Sequence, residues 1–389
     1  GSFIKMAPQG FAASRTDQYI FGGPVTREQF IENAKESLKI RPEAAASYIR
    51  VRDAMLEDVN ASMAAHPRIN TLIGGNPPAM MYNNHRHHID FISTVLKFSS
   101  FEMLAKILPW VYRTYLAHGF SPDYFPVVLE AWKQAVRKHL GSSELAAEII
   151  AVYDWMLKNH SLLIELSAMV PEEEVPYPEL AEERRNFGTR LLAGDYASCL
   201  KIAESILARN QGQELLYMGL IKPVMYEIGR LWEQDKISAA EEHLATSLVG
   251  RILAALYAKF PIAATNRGKA VVTSAPNEYH ELGARMLADL LETAGWDVLF
   301  LGANTPAEEL LTLLSKTNPR FVAISLTMPF GLDKVADIIS RIKAKPELSG
   351  IRIMVGGAAF NIDPHLWRQV GADAWAQNPN DAIRQAVAW

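Results

Sequence analysis

The sequence predicts two α-helical units followed by an open parallel α/β sheet of flavodoxin-like order, and three observations predict it. Residues 25–170 show apolar residues at helical spacing and no strand signal. Residues 179–262 continue the helical period in four short segments. From Gly268 onward, short β-rich runs alternate with amphipathic helices, the pattern of a parallel sheet covered on both faces. At 389 residues the chain exceeds what one hydrophobic core supports, which agrees with a multidomain α plus α/β protein.

Residues 1–24 are mixed and turn-rich and read as an arm. Gly1-Ser2 reads as a cloning scar, and nothing near it resembles a signal peptide. Helical spacing runs from Thr26 to Asn60 through Phe30, Ala34, Leu38, Ile49, Met55 and Val59. The breaker-rich patch Ile73-Gly-Gly-Asn-Pro-Pro78 predicts a loop. A dense helical series then runs from about Asn84 to Gly119, another from Ser121 to Leu140, and a third, capped by Ser143, to about Met169. The unit is rich in aromatics, among them Trp110, Tyr112, Tyr115, Tyr124, Trp132 and Tyr153. Within it, Tyr82-Asn-Asn-His85-Arg86-His-His88 is unusual. His85 and His88 share a helical face and, with Arg86, could hold a metal, a carboxylate or a tetrapyrrole propionate; a solvated, basic first helical turn explains them equally well.

Pro171–Pro178 packs three prolines and three acids into eight residues and predicts a stiff, solvated linker. The next unit, 179–262, breaks at Gly194-Asp195, Asn210-Gln-Gly212 and Asp235-Lys236, which predicts a four-helix bundle. Residues 263–389 hold the expected strands 270–274, 297–301, 321–325, 351–355 and 372–376.

Bulk properties exclude several function classes. A net charge of −4 and a pI near 6.2 argue against a nucleic-acid partner. A single cysteine, Cys199, excludes a disulfide framework and fits the cytoplasm. No apolar run reaches the ~20 residues that span a bilayer.

Ligands of flavodoxin-like sheets sit at the carboxyl ends of the strands, and four features fall there. After the first strand comes Glu278-Tyr279-His280-Glu-Leu-Gly283, after the second Gly302-Ala-Asn-Thr-Pro, after the third Ser325-Leu-Thr327, and after the fourth Gly356-Gly357. Together they outline a deep slot with a histidine at its mouth. Neither nucleotide-binding glycine fingerprint is present. In the preceding bundle, Trp232 ends one helix and Ser238-Ala-Ala-Glu241 forms a capping box that opens the next. The short turn between them predicts Trp232, Glu242 and His243 at one level, facing the slot.

Residues 180–389 resemble a cobalamin-binding module with a helical cap. The resemblance rests on the Glu278-x-His280-x-x-Gly283 loop, with Glu where many members have Asp, on Ser325-x-Thr327 and on Gly356-Gly357. It implies that His280 is the lower axial ligand of cobalt, that Glu278 and Tyr279 belong to its loop, and that Gly302, Ser325, Thr327 and the glycine pair line the slot. The spacing W-x9-E-H over Trp232 and Glu242-His243 is similar to that of light-sensing repressors of carotenoid genes. That likeness implies adenosylcobalamin with its upper group beneath Trp232, cobalt–carbon photolysis, cap movement and a light-dependent homo-oligomer.

Two departures stand out. Glu233 occupies the position after the tryptophan where well-known members have a histidine, and no MerR-type DNA-binding domain precedes the module. A histidine-bearing, aromatic-rich helical unit before such a module resembles the layout of photocobilins, which pair cobalamin with biliverdin; the likeness implies a bilin near His85, Arg86 and His88. The expectation is therefore a non-enzymatic photoreceptor. The alternatives are a corrinoid carrier for methyl transfer or mutase chemistry and a cobalamin storage protein.

Overall fold

A computed structural model describes residues 25–169 and 175–389. The expected N-terminal arm and the first half of the Pro171–Pro178 linker lie outside the described residues.

The first unit comprises α1 (Arg27–Ser37), α2 (Pro42–Ala64), α3 (Ile69–Leu72), α4 (Pro78–Phe98), α5 (Phe101–Ala117), α6 (Tyr124–Leu140), α7 (Glu144–Lys158) and α8 (His160–Ala168). No strand occurs among its described residues. The periodicity over 26–60 resolves into two helices because Pro42 must start a new one; Pro lacks the N–H that a helix interior needs. The series expected from Asn84 to Gly119 differs in two ways. It begins earlier, with Pro78 in the first turn of α4, and it breaks at Ser99, which takes a left-handed conformation. The Tyr82–His88 stretch consequently lies in the second and third turns of α4, away from its start.

The second unit holds α9 (Ala181–Leu192), α10 (Tyr196–Leu207), α11 (Gly212–Glu214), a π-helical stretch Leu215–Ile221, α12 (Lys222–Glu233) and α13 (Ala239–Leu256). The last three of these before α13 form one continuous rod, so the unit is four rods as its spacing predicts. Ser238 and Glu241 make the reciprocal capping box that opens α13.

The third unit alternates β1 (Lys269–Ser274), α14 (Leu282–Thr293), β2 (Asp297–Phe300), α15 (Ala307–Thr317), β3 (Phe321–Ser325), α16 (Leu332–Ala344), β4 (Arg352–Gly356), α17 (Ala358–Ile362), α18 (Leu366–Gln369), β5 (Ala374–Ala376) and α19 (Pro379–Val387). All pairings are parallel and the order is β2-β1-β3-β4-β5, the flavodoxin-like order. The strands lie within two residues of their predicted bounds.

Packing ties the units together. The core of the N-terminal bundle is continuous with one face of the sheet, where Val271, Val322, Ile324 and Val355 point. The opposite sheet face buries Ala270, Val272, Trp296 and Met354. The four-rod unit has its own core, closed on the sheet side by Met286 and Leu290 of α14.

Candidate functional site

The chain reverses direction across the sheet between β1 and β3, so the loops after these strands flank a crevice, the usual ligand position in open α/β sheets. Glu278 closes the base of that crevice. Its side chain is 2% exposed. One oxygen accepts from the backbone N–H of Thr327 at 2.8 Å and of Met328 at 3.1 Å, across from the β3 loop. The other accepts from the His280 backbone N–H at 2.9 Å and lies 2.5 Å from His280 Nδ1. A carboxylate with this many donors stays ionised. Burial opposes its charge, and the bonds from His280 and Thr327 overcome that and hold its pKa below the usual value.

Because a carboxylate only accepts, Nδ1 of His280 must carry the proton and donate. Nε2 is then the lone-pair nitrogen, on a side chain 60% exposed. The bond to Glu278 raises the imidazole pKa against the effect of burial, and the charges of Glu278 and Glu242 raise it further. The result is an electron-rich imidazole of fixed tautomer aimed out of the crevice.

The surrounding turns are built from backbone. Ser274 N–H donates to Gly302 O at 3.0 Å, and Ala275 N–H to Ser325 O at 3.0 Å. Asn304 N–H reaches Glu278 O at 2.9 Å, while its side-chain oxygen accepts from Asn277 N–H at 2.8 Å. Leu326 N–H donates to Gly356 O at 2.9 Å. Gly357 has φ 97°, and a Cβ there would lie 2.3 Å from Leu326 O, so this turn admits glycine alone. Gly283, in the first turn of α14, faces open space. Tyr279 is 71% exposed.

The cap residues are less convergent than their spacing predicts. Glu242 acts electrostatically on His280 and accepts from Thr246 Oγ1 at 2.9 Å. His243 is 79% exposed and turns back on Glu242, with Nδ1 at 2.8 Å from its carboxylate. Trp232 packs against a residue the sequence reading did not single out, His118 at the end of α5, with ring centroids 5.9 Å apart at 60°. Glu233 is the last residue of α12.

The structure separates the second candidate set. Arg86 points outward to Asp53 at 3.3 Å, whereas His85 and His88 point inward. His85 Nδ1 donates to Asn60 Oδ1 at 2.6 Å, and Nε2 accepts from Tyr124 Oη at 2.9 Å. His88 stacks on Trp132 with centroids 5.0 Å apart. The solvated basic turn therefore describes Arg86 and His87, which are exposed, but not His85 and His88. Burial lowers the pKa of His85 to about 4, and burial together with His85 lowers that of His88 to about 3, so both are neutral. With Tyr112, Tyr115, Tyr124 and Trp132 they line a cavity of about 40 Å3, room for a few waters. Trp132 Nε1 is buried without an acceptor among the described residues. Among the described residues no lysine or arginine lines the cavity. As packed, it does not fit a tetrapyrrole with two carboxylates.

The donor set around His280 does fit a corrinoid. Among the described residues no three His, Cys, Asp or Glu side chains cluster to hold a bare metal ion. A metal that brings its own equatorial ligands would need only one donor from the protein, and Nε2 of His280, opposite the Nδ1 held by Glu278, could serve as one.

Comparison with known proteins agrees. Residues 268–386 match the B12 binding domain family, and residues 184–257 match a second B12 binding domain family. The chain therefore carries B12-binding domains in a helix-plus-sheet pair. It is 25% identical over 189 residues to dimethylamine corrinoid protein 3 of Methanosarcina acetivorans, which spans 48% of this chain and 87% of that protein. It is 30% identical over 141 residues to the HTH-type transcriptional repressor CarH of Myxococcus xanthus, which spans 36% of this chain and 46% of that protein. The solved structure of the monomethylamine corrinoid protein of Methanosarcina barkeri aligns with a TM-score of 0.48 and 18% identity, covering 54% of this chain and 99% of that one. No helix among the described residues is long and apolar enough to cross a membrane.

Proposed function

We propose that the protein is a cobalamin-dependent sensor, with His280 as lower axial ligand, the turns at Gly302, Ser325–Thr327 and Gly356–Gly357 lining the slot for the displaced nucleotide tail, and Trp232 over the upper face. The observation that supports sensing over carriage is that the half-buried Trp232 lies against His118 of the chain's own helical unit. A carrier presents its upper face to a separate enzyme, and an internal contact on Trp232 would compete with that approach. When bound, adenosylcobalamin supplies a cobalt–carbon bond that light cleaves. The chain's residues do the rest. Glu278 fixes the His280 tautomer, Glu242 adds negative charge above the slot, and the α12–α13 hairpin moves against its covering when the upper group changes.

In this reading the protein is not itself an enzyme, and its output is a change of assembly read by a partner. Green light should change the visible spectrum of the protein loaded with adenosylcobalamin and shift its size-exclusion elution. Unchanged spectra and elution, with methylcobalamin turned over in the presence of a methyl acceptor, would favour the carrier reading. That second reading rests on the extent of similarity to the dimethylamine corrinoid proteins. His280→Ala should weaken binding or leave the cofactor base-on, and an unaltered spectrum sinks the ligand assignment.

A second chromophore, biliverdin, would belong to the helical unit in this reading. It would have to open the cavity between α4, α5 and α6, where the neutral His85–His88 pair and the Trp132 indole offer polar contacts on an aromatic wall. A far-red band after co-expression with a haem oxygenase would support it. Without that band, the cavity is a hydrated defect in the bundle core.

A further inference from the structure

The geometry points to His118 as a positioning residue for Trp232, placed there by a helix that braces the cap against the sheet. The inference rests on the sensory reading for what Trp232 does, and on the structure alone for what holds it.

α5 is 17 residues long, about 25 Å at 1.5 Å per residue. Its first turn is fastened to the sheet unit just beyond the Gly356–Gly357 turn. Ser100, which precedes it, donates to Asp363 Oδ2 at 2.6 Å with both residues buried. Lys106 donates to Ile362 O at 2.6 Å and pairs with Glu102. The end of the preceding helix adds an ion pair from Lys97 to Asp333 at 2.6 Å. The far end of α5 meets the cap. His118 lies against the Trp232 ring, and its Nε2 is 3.8 Å from Asp235 in the turn between α12 and α13. One helix thus touches both halves between which the cofactor would lie.

His118 is itself held rigidly. Its Nδ1 donates to Thr114 O at 2.8 Å, which fixes the ring on the helix end. Asn76 donates to the His118 carbonyl at 2.7 Å and to Ile73 O at 2.8 Å. Ser121 N–H donates to Leu72 O at 2.9 Å. At Gly74, with φ 61°, a Cβ would fall 1.8 Å from Gly119 O. The glycine- and proline-rich patch at 73–78 therefore has a definite use, which is to let one loop lie directly on the turn that carries His118.

Two readouts on the full-length chain test this. In the cofactor-free protein labelled with 5-fluorotryptophan, the Trp232 resonance, assigned by its loss in Trp232→Phe, should shift in His118→Ala and return toward its position in His118→Phe. In protein loaded with aquocobalamin, His118→Ala should speed cyanide exchange at the upper position about fivefold, the factor expected for one aromatic pair, with the lower-ligand spectrum unchanged. A Trp232 resonance indifferent to His118 overturns the proposal, as does an exchange rate that Trp232→Ala raises and His118→Ala does not. If no corrinoid binds at all, the sensory reading fails, and the fluorine resonance alone decides whether His118 positions Trp232.

Discussion

Glu278 and His280, two residues apart, share a 2.5 Å contact in which the buried carboxylate receives the imidazole Nδ1 proton and also ties the β1 loop to the β3 loop through Thr327 and Met328. One side chain thus orients the candidate ligand and closes the crevice that holds it.

Glu278→Gln keeps the shape and removes the charge. It should weaken cobalamin binding by about 10- to 100-fold, as loss of a partner behind a ligating histidine generally does. Spectral titration against the unaltered protein measures it. Glu278→Ala should in addition lower stability by roughly 1–3 kcal/mol, because two buried backbone N–H groups lose their acceptor. His280→Ala should abolish the ligand and, by removing one donor to the buried Glu278 carboxylate, lower the melting temperature by less than Glu278→Ala does.

Gly357→Ala sets a Cβ 2.3 Å from Leu326 O at a positive φ. The β3–β4 edge of the slot must shift, at a cost of roughly 2 kcal/mol or more. Thermal melts should show the loss without cofactor, and corrinoid affinity should fall with it.

The two halves should respond oppositely to pH. Asp289 is buried beside Tyr217 Oη at 2.5 Å, and burial raises its pKa to about 6. A carboxyl whose folded pKa is raised contributes its full stability below pH ~4 and loses it as pH climbs through about 6. Asp289→Asn should therefore stabilise the protein at pH 8, by on the order of 2–3 kcal/mol, and have little effect at pH 4. His85 runs the other way. Its folded pKa of about 4 lies below the ordinary imidazole value of 6.5, so stability present above pH ~6.5 is lost as pH falls toward 4. Acid melts followed by helical and by aromatic circular dichroism should show His85→Gln flattening the acid limb.

Ser100→Ala removes the donor to Asp363 Oδ2 and leaves a buried carboxylate oxygen short of a partner. A loss of about 1–3 kcal/mol is expected. If α5 braces the cap, limited proteolysis should release the N-terminal bundle from the rest of the chain faster than in the unaltered protein.

The sequence by itself determined the architecture and the contents of the crevice. Five β-rich runs alternating with amphipathic helices admit few topologies, and the side chains of Glu278, His280, Ser325 and Thr327 and the glycines at 356 and 357 follow strand ends that any parallel sheet of this order brings to one edge. The Ser238–Glu241 box was equally legible, since capping is a contact between residues three apart. Local pattern also misled. Continuous helical spacing hid the break at Ser99, and of the histidine-rich stretch, for which a solvated turn and a binding role stood equally open, His85 and His88 pack against Tyr124 and Trp132 while Arg86 and His87 stay exposed, because periodicity gives the face of a helix and not what covers it. What faces Trp232 was decided only by the tertiary structure. His118 lies 114 positions earlier in the chain (232 − 118), on another unit, at a spacing that carries no signal. Contacts between separately patterned units depend on how their surfaces dock, and no local propensity encodes that.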